Sequence, residues 1–428
     1  MESNYLQVVS TFGEFMVCPV EILADKNSLI DISDAGENAY LDYKFRHLSS
    51  NYHSDSEVDE LVLLQKIIDS LHISLSQSQK EPLLLLSDGK DSMGLALALS
   101  QMGIACKTLS FLRRSDSELR DYISDVASRL GHTAYFVTVD EIESAYDSEV
   151  FTEACSFMET PVLDQGFFFF LFGCKFFFDK EKLLPNDFVI VDGLGNDEHF
   201  GYMASKKQLK SFSLSRLGLW KILPRSLPAL RWYFRSPSES HGDLSALAAF
   251  FPFGQSYDLN KYFSKIPKTL NDLDFVDFRA FSRGYFHDHQ CMMGKTVATA
   301  KCLGSDVVFP WTDDALANYC FNLPVSAKFD FKSLKNKLLL RDLLERKIGW
   351  KQEKRGVDLY FDLDMKAFKE NILREFVPQN TIDQVDKSVL ISDSVKQRAY
   401  LELHNFYGYC LSNGMSQLDV DNILMGKL

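Results

Sequence analysis

The stretch PLLLLSDGKDSMGLALAL, residues 82–99, decides how the rest of the chain is read. Its uncharged leucine run fits a strand buried on both faces, and the apolar spacing that resumes at Met93 fits a helix. Between them stand Ser87, Asp88, Gly89, Lys90, Asp91 and Ser92. A strand that passes through a short polar loop into a helix aims free backbone N–H groups and the positive end of the helix dipole at one point, which makes an anion site. Asp88 sets a negative charge inside that site. Aspartate tolerates a left-handed backbone and caps helices, so the expectation is that Asp88 turns away to cap the helix, with Lys90 as counter-charge.

Outward from this turn the pattern repeats. SEVDELVLLQKIIDSLHISLSQ, from Ser56, reads as a helix leading into the strand. CKTLSF with DSELRDYISDVASRLG is a second strand and helix, and TAYFVTV a third strand followed by a helix near Glu141 to Phe157. FFFFLFGCKFFF then reads as a buried helix and DFVIVDGLG as a fourth strand. Continuous apolar strands alternating with helices predict an α/β fold with a parallel sheet covered on both faces. Ligands bind such sheets at the carboxyl ends of the strands, where SDGKDS and VDGLGNDEHFGY both fall. After Tyr202 the chain turns to helices and loops.

Composition bounds what the chain can do. Its 428 residues suffice for two or three well-buried domains, and a net charge of −13 argues against nonspecific coating of nucleic acid. The eight cysteines form no CxxC pair, which fits reduced core thiols in a cytoplasmic protein. The N-terminus shows no signal-peptide pattern, and the phenylalanine run is too short and carries Lys175, so no transmembrane segment is expected.

A loop that cradles pyrophosphate needs close backbone approach, hydroxyls, and a carboxylate to hold Mg²⁺ against phosphate oxygens, as Ser87, Gly89, Asp91 and Ser92 offer. At this point the sequence resembles the ATP pyrophosphatase superfamily, whose first loop reads S-G-G-x-D-S. In particular it is similar to the synthetase domain of the asparagine synthetase family, shared by β-lactam synthetases and lasso-peptide cyclases. SDGKDS stands at the phosphate loop. SDSELRDYISDVASRLGHTAYFV resembles the Asp-rich helix and following strand. VDGLGNDEHFGY resembles S-G-x-G-x-D-E-L-F-G-G-Y, and FHDHQCMMGKTVATAKCLGSDVVFPWTDDALANYCFNLP the segment around E-v-R-x-P-F-L-D. KLLLRDLL matches the lysine motif K-x-x-L-R.

The resemblance implies an adenine nucleotide alpha hydrolase-like domain over 56–350, a small β or irregular piece over 1–55, and a helical C-terminal addition over 351–428. It implies ATP binding by Ser87, Asp88, Gly89, Lys90, Ser92, Gly193 and Gly195, Mg²⁺ held by Asp91 and Asp197, and catalysis by Lys337 with those two carboxylates. Taken alone, Lys337 and Arg341 would read as an exposed helical pair. The implied reaction is adenylation of a small-molecule or peptide carboxylate, with release of AMP and pyrophosphate and formation of an amide.

Three departures stand out. Glutamine-dependent relatives start with a cysteine nucleophile on a larger amidohydrolase domain; here Glu2 follows Met1 and about 80 residues precede the loop, so no functional glutaminase is expected. The position that is Glu or Tyr in relatives is Leu194, which can neither take a proton nor bind an amine. Asp88 replaces a loop glycine, with an extra Mg²⁺ contact as the alternative to capping. These departures keep open a catalytically reduced nucleotide-binding partner subunit. An enzyme acting on a base or protein terminus, similar to 7-cyano-7-deazaguanine synthase, is a third reading, disfavoured by the missing cysteine cluster.

Between Glu198 and Glu239 no acidic residue occurs, while Lys206, Lys207, Lys210, Arg231 and other basic residues recur. Segment 206–235 is therefore a candidate docking surface for a partner protein, a polyanion or a membrane surface, or else a solvated helical face. The arginines interleaved with Trp220, Trp232 and Tyr233 match a nucleic-acid reader weakly. His287, Asp288 and His289 are adjacent on a helical stretch and diverge, which argues against a metal cluster.

Overall fold

The computed structural model describes residues 57–76, 78–158, 164–217, 274–283, 292–351, 359–387 and 393–424. The expected N-terminal piece, Arg231, the three aromatic residues near it and the His287–His289 triplet lie outside the described residues.

A five-stranded, all-parallel sheet organises the fold, in the order β3-β2-β1-β4-β5. Its strands are β1 (Glu81–Leu85), β2 (Lys107–Leu112), β3 (Thr133–Thr138), β4 (Phe188–Val191) and β5 (Asp306–Val308). The chain winds outward from β1 to β3, then returns to place β4 on the other side of β1. That reversal opens a crevice at the carboxyl ends of β1 and β4, the place where such sheets bind ligands.

Strand side chains alternate between two cores. Leu83, Leu109, Val137 and Ile190 face one, and Leu84, Leu86 and Val191 the other. The second core is covered by α1 (Glu60–Ser76), α2 (Lys90–Gln101) and α3 (Ser117–Arg129). The helix expected near Glu141 to Phe157 is two helices, α4 (Val139–Ser144) and α5 (Ser148–Ser156). A capping box between Thr138 and Glu141 starts the first, and the Asp147 carboxylate accepts from the N–H groups of Glu149 and Val150 at 3.0 and 3.3 Å to start the second. The Asp147 cap creates a second start where periodicity alone suggested continuity.

The phenylalanine-rich segment is α6 (Gly166–Glu181), buried around almost its whole circumference in the first core. Lys175 escapes by pairing with Asp179 at 2.8 Å. No helix among the described residues is long and apolar enough to cross a membrane. The remaining helices used below are α7 (Lys206–Arg216), α8 (Phe275–Arg283), α9 (Gly294–Leu303), α10 (Asp314–Asn322), α11 (Leu338–Ile348) and α12 (Asp393–Ser412). The last packs into the same core as α5 and α6. The six cysteines among the described residues are unbridged, and all but Cys302 are buried.

Candidate active site

The loop after β1 is held by its own hydroxyls. Ser92 Oγ donates to the carbonyl oxygens of Ser87 and Gly89, and it accepts from the Ser87 N–H at 3.1 Å. Ser87 Oγ lies 3.1 Å from Ser92 Oγ and accepts from the Gly89 N–H at the same distance. Two indoles fix the loop from behind: Trp350 Nε1 donates to the Asp88 carbonyl at 2.8 Å and Trp311 Nε1 to the Asp91 carbonyl at 3.2 Å.

The expectations for Asp88 need correction. Its backbone is not left-handed, and the N-cap of α2 is Gly89, with no side-chain cap bond. Gly89 itself is extended, at φ −67° and ψ 138°, in the bend that separates the end of β1 from the start of α2. Asp88 is buried and lines the cavity beside the loop.

The loop after β4 closes against the first. A Cβ on Gly193 would come within 3.0 Å of the Ser92 amide nitrogen, and Gly195, at φ 94°, leaves no room for one beside Thr312. These glycines let the two loops touch. Asn196 Nδ2 then donates to Asp91 Oδ1 at 2.7 Å.

Lys337 joins the pieces. Its Nζ lies 2.9 Å from both Asp91 carboxylate oxygens and 2.7 Å from Asp197 Oδ1, and the side chain is fully buried. The reading of Lys337 and Arg341 as an exposed pair is thereby overturned: the left-handed backbone of Lys337 (φ 56°) turns it inward ahead of α11. Arg341 donates to the Asn336 carbonyl at 2.7 Å and lies over the Trp350 ring. Burial works against the Lys337 ammonium, but Asp197 and Asp91 outweigh it and hold it above the ordinary lysine value. Asp91 is likewise penalised by burial, yet Lys337 and Lys90 keep its carboxyl below the usual carboxylate range. Burial pulls the Lys90 ammonium down.

A cavity of about 350 Å³ opens beside this cluster. Ser87, Gly89, Asp91 and Ser92 line its polar side, and Leu109, Phe111, Leu119 and Ile123 its apolar side, which suits a purine ring next to its phosphates. The loop hydroxyls and the α2 N-terminus fit phosphate. Asp91 and Asp197 keep about a quarter to a third of their side-chain surface exposed and offer hard oxygen donors. Among the described residues no group of three or more His, Cys, Asp or Glu gathers for a metal. The set therefore fits Mg²⁺, which is usually held by one or two carboxylates together with substrate phosphates and water.

A profile of the asparagine synthase family matches residues 63–406, most of the chain and all of the loops just described. The chain belongs to the asparagine synthase family. Its members are ATP-dependent amide-forming ligases that use ATP, typically with Mg²⁺. No curated protein matches the sequence.

Of the residues singled out from the family motifs, the structure brings together those on the loops after β1 and β4 and the start of α11. Lys206, Lys207 and Lys210 lie on α7; Lys206 and Lys210 are exposed and neither of these two lines the cavity. Sequence reasoning missed Asp192 and Lys295, which line it. Asp192 is buried, accepts from the Leu194 N–H at 3.2 Å and from Thr296 Oγ1 at 2.7 Å, and burial raises its carboxyl above the usual range. Lys295 forms a short ion pair with buried Asp164. The signal for Asp192 lay in the motif itself, where an acid stands at the serine of S-G-x-G.

Proposed function

We propose that this chain activates a carboxylate with ATP as an acyl-adenylate, releasing pyrophosphate, and passes the acyl group to ammonia or to an amine of the substrate or a partner. The observation that carries this reading is the Lys337 ammonium clamped between Asp91 and Asp197 beside a hydroxyl-lined loop at a helix N-terminus. A carboxylate is a poor electrophile, and the adenylate supplies a leaving group. In this reading Ser87, Ser92 and the backbone N–H groups of the loop bind phosphate oxygens. Asp91 and Asp197 hold Mg²⁺, which neutralises phosphate charge when bound. Lys337 is prepositioned to stabilise negative charge that grows in the transition state, and burial strengthens that effect.

The test is ATP–pyrophosphate exchange with a panel of amino acids, dicarboxylates and short peptides, with ammonium chloride or hydroxylamine added to score amide or hydroxamate. Exchange with at least one acid, lost in Lys337→Ala and in the milder Asp197→Asn, is the expected result. Leu194, inert in the position that is Glu or Tyr in relatives, favours a second reading, a nucleotide-binding subunit without ligase activity. ATP binding without exchange for any acid would establish that reading instead.

A further inference from the structure

The leucine at 194 raises the question of what accepts the proton of the attacking amine. Among the described residues four carboxylates line the cavity: Asp88, Asp91, Asp116 and Asp192. Asp91 is committed to Lys337. Asp116 receives the Arg113 guanidinium at 3.2 and 3.0 Å. Asp88 belongs to the phosphate loop, where a proton acceptor would face phosphate oxygens. Asp192 stands apart, on the wall formed with Gly193, Leu194, Lys295 and Phe170.

We infer that Asp192 is the general base of the amide-forming step, supplying two residues upstream the group that Leu194 lacks, and that the wall around it receives ammonia or a primary amine. The inference rests on the ligase reading above. The backbone fixes Asp192 closely: Val191 pairs with Leu84 of β1, and the Asp192 N–H donates to the Val308 carbonyl of β5 at 3.1 Å. Its carboxylate is therefore held at the same sheet end as the phosphate loop. Thr296 Oγ1 and the Leu194 N–H each use one lone pair, and a carboxylate has about four, so it can still accept from an amine. Lys295, at the start of α9, pairs with Asp164, and its charge also acts on Asp192 across this wall. Burial raises the Asp192 carboxyl above the usual carboxylate range, which makes it a stronger proton acceptor than an exposed aspartate.

In the step itself the amine nitrogen bonds to the acyl carbon of the adenylate. The bond from that carbon to the phosphate oxygen breaks, and its electron pair leaves with AMP. The N–H proton passes to an Asp192 carboxylate oxygen and from there to solvent. Leu194 and Phe170 add apolar surface, which favours a compact amine over a strongly hydrated, multiply charged one.

The experiment measures, on the full chain, the ratio of amide formation from ammonium chloride near neutral pH to ATP–pyrophosphate exchange with the same acid. Asp192→Asn keeps the shape, its Oδ1 can still accept from the Leu194 N–H and its Nδ2 can donate to Thr296 Oγ1, and it should lower that ratio roughly a hundredfold, the size expected for losing a general base. The double variant Asp192→Ser with Leu194→Glu, which moves the carboxylate to the position it holds in relatives, should recover a substantial part. An unchanged ratio in Asp192→Asn, with exchange intact in the wild type, overturns the role of Asp192 and leaves the ligase reading standing. Absence of exchange in the wild type itself overturns the ligase reading, and the base assignment falls with it.

Discussion

Two buried polar clusters in this molecule meet the cost of desolvation in opposite ways. At the site, Lys337, Asp91 and Asp197 keep their charges and neutralise one another at 2.7–2.9 Å. On α12, Glu402 and His404 are fully buried: among the described residues neither Glu402 oxygen nor either ring nitrogen of His404 has a hydrogen-bond partner, and the Arg398 guanidinium reaches Glu402 Oε1 only at 3.9 Å. Burial pushes the Glu402 carboxyl well up and the His404 imidazole down to about 3, so near neutrality the histidine sheds its charge. The His404 ring sits among Phe151, Phe168, Phe368 and Phe376, with the Phe151 centroid 4.1 Å away. Function asks for charge at the sheet end, and packing tolerates only suppressed charge in the helical core.

The largest effect should come from removing the shared cation. Lys337→Ala leaves two neighbouring carboxylates uncompensated and should lower stability by roughly 3–5 kcal/mol, read by urea unfolding. The sign of the pH dependence follows. The Asp91 share is present above its unfolded value of 3.8 and is lost as pH falls through its lower folded value. The Lys337 share is present below 10.5 and is lost as pH rises through its higher folded value. A wild-type-like unfolding midpoint for Lys337→Ala would break the contrast at once.

Next comes Ser92→Ala, which removes a hydroxyl that now closes the loop and would serve phosphate when ATP binds. ATP affinity should fall by about 1.5–3 kcal/mol, roughly tenfold to a hundredfold, by calorimetry. A loss under twofold would remove Ser92 from the phosphate cradle.

The helical cluster should respond in the opposite direction. His404→Phe replaces an unpartnered ring with an apolar one and should stabilise the chain by about 1–2 kcal/mol. In the wild type His404 opposes stability as pH falls from 6.5 toward about 3, because the unfolded chain binds the proton first. That slope, roughly 1.4 kcal/mol per pH unit for one proton, should vanish in the variant. Destabilisation by His404→Phe would show that the imidazole makes contacts a phenyl ring cannot replace.

The smallest effect belongs to Glu402→Gln below the unfolded carboxyl value of 4.5, within about 0.5 kcal/mol, where folded and unfolded chains both carry the proton. Its signature lies at higher pH. A raised carboxyl supports stability below its unfolded value of 4.5 and loses that support as pH rises toward its folded value. The wild type should carry this loss as pH rises above 4.5 and Glu402→Gln should not; identical pH profiles would refute a raised Glu402 carboxyl.

Much of this was legible in the sequence. LLLLS, VIVDG and the glycines between acids carry local signals that fix strands, loops and the ends at which they meet. What was not legible depends on contacts across the chain. The K-x-x-L-R resemblance points Lys337 to the site, but the route does not show in the segment: its left-handed backbone follows the strand pair Phe329–Asp330 and Lys335–Asn336. Asp192 and Lys295 lie far apart in sequence and share a wall only because the start of α9 reaches the end of β4. Asp88 departs from the capping expectation for a local reason: the N-cap of α2 is Gly89, one residue later.

The two indoles behind the phosphate loop give the protein an optical reporter. Trp311 and Trp350 are half of its four tryptophans, and their Nε1–H groups grip the carbonyls at either end of the segment from Asp88 to Asp91. Any shift of that segment on nucleotide binding changes the polarity and hydrogen bonding that each excited indole experiences. Intrinsic fluorescence therefore follows occupancy of the site in real time, without a label and before a substrate acid is in hand.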